Sequence, residues 1–96
     1  MNTARYPVVI TAYEYSILNK NHIISAVCKK QLESGIRYEV DEEEVVELSL
    51  TLGELEDLTG FVAAESNHAR TAKQREELGS ICDDFEMRVS EIKRRK

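Results

Sequence analysis

Apolar residues along this chain change their spacing several times, and each change marks an element boundary. Residues 8–11 open with a short β-branched run, Val8, Val9 and Ile10, closed by Thr11. Past Thr11, the residues Ile17, Leu18, Ile24, Val27, Cys28 and Leu32 recur at steps of three and four, which predicts one helix over about 12–34. Gly35 then stops it, being free to adopt the left-handed conformation that follows many helices, with Ile36 supplying the hydrophobic contact. Over 36–50 the period becomes two: Ile36, Tyr38 and Val40 alternate with Arg37 and Glu39, and Val46, Leu48 and Leu50 with Glu47 and Ser49. That pattern on both sides of "DEEE" predicts a β-hairpin with one buried face and a turn within 41–44. The segment 8–11 adds a third strand, and Pro7 suits a strand start or an edge. Helical spacing returns over about 52–67 and again over about 72–93.

Helix starts carry their own signature. Thr11 with Glu14, and Thr51 with Glu54, form Thr-x-x-Glu capping boxes, and Thr71 with Gln74 forms a third. The first two follow strand-like runs, so "VVITAYEYSIL" and "LSLTLGELEDL" are one strand-to-helix device used twice. Aligned, they share only the Thr, the Glu and a core leucine, too little to establish an internal repeat. Glycine inside a helix costs about 1 kcal/mol relative to alanine. Gly60 and Gly79 are therefore expected at a close contact between the last two helices.

The resulting architecture is a small α+β single domain over residues 1–96, in the order β-α-β-β-α-α with a C-terminal α-hairpin. The alternative is a mostly α chain with residues 36–50 as an extended connector. A chain of 96 residues buries only about two-thirds of the surface it exposes when unfolded, so its core is small.

Charge is distributed unevenly within the total of −5. Residues 1–40 carry +2, residues 41–66 carry −9 with no Lys or Arg, and residues 67–96 carry +2 and end in "KRRK". Such a field favours a basic partner over the acidic stretch, through Asp41, Glu42, Glu43, Glu44, Glu54 and Asp57. The first residues lack the long apolar stretch of a secretory signal. No run approaches the roughly 20 apolar residues that span a bilayer, so a cytoplasmic protein without membrane contact is expected. In a reducing compartment Cys28 and Cys82 read as small buried hydrophobes.

Candidate chemistry is sparse. His22 and His68 are the only histidines, and His22 lies six residues from Cys28, on another side of a helix. Neither C-x₂-C nor H-x₃-H occurs, and the acidic run lacks the glycine of a calcium loop. No catalytic residue, metal or cofactor is assigned. Glu65, Asn67 and His68, at the end of the second long helix, are the ligand candidates, with His68 sharing a stripe with Phe61 and Ala64 at the edge of the core. The last helix places Leu78, Cys82, Phe85, Val89 and Ile92 at alternating steps of four and three, a seam suited to a partner helix. These features point to a non-enzymatic interaction and oligomerisation module, a dimer whose contact uses that seam. The alternative is a small regulatory protein that touches nucleic acid weakly through its basic tail. The overall acidity and the missing aromatic platform argue against that alternative. An enzyme using His68 with Glu65 ranks last.

Overall fold

Strand β1 (Arg5–Thr11), strand β2 (Ile36–Val40) and strand β3 (Glu43–Thr51) form one antiparallel sheet in the order β1-β3-β2. The computed structural model describes residues 4–95. Between β1 and β2 lie three short helices, α1 (Ala12–Lys20), α2 (His22–Val27) and α3 (Lys29–Glu33). After β3 come α4 (Leu52–Asn67) and α5 (Ala72–Arg94), which pair as an antiparallel hairpin. The architecture is thus the small α+β domain expected, in the order β-α-β-β-α-α.

Both strand-to-helix switches are capping boxes in full. The Glu14 amide donates to Thr11 Oγ1 at 3.0 Å, and Thr11 N–H donates to Glu14 Oε1 at 2.9 Å. At α4 the matching distances are 3.1 Å for Glu54 N–H to Thr51 Oγ1 and 3.0 Å for Thr51 N–H to Glu54 Oε1. Thr71 caps α5 through Gln74 N–H at 3.1 Å.

The long helix expected over 12–34 is broken, and the breaks have local causes. Asn21 takes an extended backbone (ψ 119°), and its side-chain oxygen accepts from Ile23 N–H and Ile24 N–H at 3.0 and 2.9 Å. A side chain that supplies those bonds competes with the helical ladder, so α1 ends and α2 begins at the same residue. A milder kink at Cys28 (φ −104°, ψ 27°) separates α2 from α3. The apolar period survives both breaks, since Leu18, Ile24, Cys28 and Leu32 are all buried.

Glycine roles also differ from expectation. Gly35 does not sit at positive φ. A Cβ there would meet Val46 Cγ1 at 2.7 Å and Leu48 Cδ2 at 3.3 Å, so this glycine allows the chain to pass close over β3. Ile36 beyond it is exposed and closes no helix end. A Cβ on Gly60 would meet nothing within 4 Å, and one on Gly79 would make ordinary contact with Ser66 Oγ at 3.5 Å. Neither marks a tight helix crossing. The hairpin is instead closed by large side chains: Leu55, Leu58 and Val62 from α4, and Leu78, Ile81, Cys82 and Phe85 from α5.

The β-hairpin forms with an unexpected parity. Its turn is only Asp41 and Glu42, both at positive φ (51° and 66°), the mirror-image geometry that suits the twist of paired strands. The register that follows sets Ile36 opposite Glu47, Tyr38 opposite Val45 and Arg37 opposite Val46. Because side chains alternate, this odd offset sends Ile36, Tyr38 and Val40 to the face opposite Val46, Leu48 and Leu50. The central strand keeps its apolar set in the core, with Val8 and Ile10 of β1 beside it. The β2 set faces outward, with Ile36, Val40 and Tyr38 exposed at 66%, 46% and 37%.

Candidate functional site

The seam assigned by sequence to a second copy is used inside the chain. Leu78, Cys82, Phe85 and Ile92 are buried, Phe85 completely, and Val89 packs against the same core. These residues, expected from spacing to meet a second copy, are thus engaged within the chain, where α4 and α1 pack against α5. What sequence spacing could not supply is the identity of the covering surface.

The acidic stretch does not form one face. Asp41, Glu42, Glu43 and Glu44 are exposed at the hairpin tip. Glu54 and Asp57 lie past the other end of β3, roughly 25 Å away at about 3.3 Å per strand residue. Glu54 is engaged by its capping box and by Arg5 Nη1 at 3.1 Å. The Thr51 N–H bond, aided by Arg5 and Lys30, holds its carboxyl below the ordinary range. Glu44 pairs with Arg37 Nη1 at 2.7 Å. Among the described residues, the side chains of Asp41, Glu42, Glu43 and Asp57 make no hydrogen bond or ion pair.

Glu65 and His68 do come together, beside His22, along an open groove of about 620 Å³ between the α1–α2 junction and the α4–α5 turn. Asn21 Nδ2 donates to Glu65 Oε1 at 3.0 Å, tying the two walls. The Tyr13 phenol donates to Glu77, and this bond raises its pKa. Lys20, Arg70 and Lys73 line the rim. His68 is exposed rather than at the core edge, as are Phe61 and Ala64 on the same stripe. Asn67, the last residue of α4, is exposed and does not line the groove. Among the described residues no group of three or more His, Cys, Asp or Glu side chains is placed to hold a metal ion. Both thiols lie outside the groove lining, are free and are buried. Burial raises the Cys28 pKa, and burial together with a bond to Glu86 pushes Cys82 up to about 12, which leaves both as protonated thiols at neutral pH. In the tail, Lys93 pairs with Glu56 at 3.1 Å, Arg94 and Arg95 are exposed, and Lys96 lies outside the described residues.

The sheet edges provide the most distinctive geometry. A two-residue turn closes on a hydrogen-bonded pair, here Val40 with Glu43. Bonding then alternates, so Ile36, Tyr38 and Val40 direct their main-chain groups toward β3 while Arg37 and Glu39 direct theirs outward. Carried across β3, the same alternation turns Pro7, Val9 and Thr11 of β1 outward. On that side, proline has no N–H to leave unpaired. Arg88 Nη2 donates to the Val9 carbonyl at 2.8 Å, steadied by Asp84 at 3.2 Å, and Thr11 N–H is taken by Glu14. On β2 all five residues are exposed, and among the described residues no hydrogen bond reaches the outward main-chain groups of Arg37 or Glu39. Tyr38 donates to Glu47 at 3.1 Å, and its pKa is raised by desolvation and by that bond. The alternation of 36–40 was readable in the sequence; that it faces outward depends on the turn.

Compared with family models, curated proteins and solved structures, the chain matches none. No helix among the described residues is long and apolar enough to cross a membrane.

Proposed function

We propose that the chain is a non-enzymatic interaction module that forms a homo-oligomer through its β2 edge. The observation that carries this reading is the combination on one edge strand of unpaired outward main chain at Arg37 and Glu39 with exposed Ile36, Tyr38 and Val40. An open edge is a template for another strand, and soluble proteins ordinarily cover, charge or distort such edges unless they use them. Here β1 is capped at the Val9 carbonyl and the Thr11 amide, and β2 has no such caps among the described residues. The acidic turn at Asp41 and Glu42 is where a basic partner would meet the assembled protein.

The groove supports a catalytic reading less well. It is open to water, its carboxylates Glu65 and Glu77 are already bonded to Asn21 and Tyr13, and neither thiol reaches it. Multi-angle light scattering across concentration tests the module reading. Two five-residue strands bury a small area, so association is expected in the high-micromolar range, and measurements should extend to about 1 mM. A mass that rises with concentration supports the reading, and a monomer throughout contradicts it.

A further inference from the structure

Resting on that oligomeric reading, we infer that the partner of β2 is β2 of a second copy, antiparallel about a two-fold axis through Tyr38, so that Arg37 of each chain faces the partner's Glu39.

The register follows from which groups point outward. Two copies of one antiparallel edge must match outward residues with outward residues. That leaves Arg37 opposite the partner's Arg37, Glu39 opposite the partner's Glu39, or Arg37 opposite the partner's Glu39. The first two place like charges directly across the seam, which is destabilising. The last places opposite charges across it twice, once on each side of the axis, and each pair exchanges both of its main-chain bonds. The same register sets Tyr38 against the partner's Tyr38, and Ile36 against the partner's Val40. All the exposed apolar side chains of β2 then have an apolar neighbour across the seam. Asp41 falls opposite the partner's Gly35, so the acidic turns sit at opposite ends of the seam and do not repel at close range.

Two further features favour the edge over the outer sheet face. Glu43 and Glu47 share that face with Ile36 and Tyr38, so stacking two faces would bury carboxylates, whereas edge pairing leaves them in water. The other edge of the sheet is partly blocked by Arg88, Pro7 and the Thr11–Glu14 box, so β2 is the more open edge, and a two-fold β2-to-β2 contact closes on itself at two.

The test uses R37E, E39R and the double variant R37E/E39R, with sedimentation equilibrium up to about 1 mM. Each single variant should raise the dimer dissociation constant by about tenfold or more, and the double variant should return it toward the wild-type value. Mixing R37E with E39R should also restore association, because the two chains then carry opposite charge at both facing positions. Circular dichroism checks that Arg37, which also pairs with Glu44 and lies 5.4 Å over the Tyr15 ring, is not needed for folding. E39R alters no such contact and carries the test alone if R37E unfolds. A dimer unaffected by E39R, or weakened by both singles and not recovered in the double or the mixture, overturns the register while leaving the module reading standing. A wild-type monomer at every concentration removes both. Association only with an added lysine-rich extended peptide overturns the second copy as occupant.

Discussion

Along the outer edge of β1, three of the positions turned away from the sheet are each blunted by something different: Pro7 lacks the donor, Arg88 holds the Val9 carbonyl, and Glu14 takes the Thr11 amide. Along β2, the outward main chain of Arg37 and Glu39 meets no such groups among the described residues, and the alternating side chains of Ile36, Tyr38 and Val40 are exposed. Both edges belong to one small sheet. The difference arises because α5, held in place by its buried stripe, runs beside β1 and carries Arg88 to it, while no long helix borders β2. An edge is closed here by whatever element the core packing places next to it.

Removing the anchor of α5 should have the largest effect. Phe85 is completely buried, and Phe85→Ala is expected to cost about 3–5 kcal/mol in urea unfolding. Loss of under 1 kcal/mol would mean that α5 is not seated as described. A smaller and more informative change is Arg88→Ala. Without its guanidinium the Val9 carbonyl loses a charged donor, worth about 1–3 kcal/mol, and β1 becomes a second open edge. Light scattering should then detect species larger than a dimer, and an unchanged mass would break the proposed link between capping and closure.

At the other end of β1, Arg5 and the Thr51 amide hold Glu54 ionised below its ordinary pKa of 4.5. A carboxyl whose folded pKa is depressed stabilises the fold fully above its unfolded pKa, and that contribution is lost as pH falls through the folded value. Glu54→Gln keeps the capping acceptor but removes the charge, so it should cost about 0.5–1 kcal/mol at neutral pH. The gap between variant and wild type should close below pH 4.5. A gap that widens on acidification would contradict the assignment. The smallest change goes the other way. Glu42 sits at φ 66°, where a side chain is strained, so Glu42→Gly should gain about 0.5–1 kcal/mol in thermal unfolding and tighten the hairpin that presents β2.

Local chemistry was legible in the sequence, and tertiary parity was not. The Thr11 and Thr51 boxes lie within four residues and formed as read. Asn21 was invisible because the apolar spacing of α1–α3 continues through it, and nothing in the spacing reveals a side chain that takes over two backbone donors. The hairpin was legible, but its orientation turned on whether the turn held an even or an odd number of residues, and neither Asn nor Gly marked the positive-φ positions. One residue of difference moved Ile36, Tyr38 and Val40 from core to surface. The α5 seam was recognisable as a seam, but spacing does not name the surface that covers it. Arg88 gave no signal at all, because its partner is a carbonyl 79 residues away.

Amide hydrogen exchange resolved by residue tests the β2 edge most directly. The Tyr38 amide bonds to β3 in any state of assembly and serves as the internal reference. As concentration rises over roughly a hundredfold range, exchange at Arg37 and Glu39 should slow while Tyr38 stays constant. Equal and fast exchange at Arg37 and Glu39 throughout, with Tyr38 protected, would show the edge to be open in solution and contradict its use as an interface.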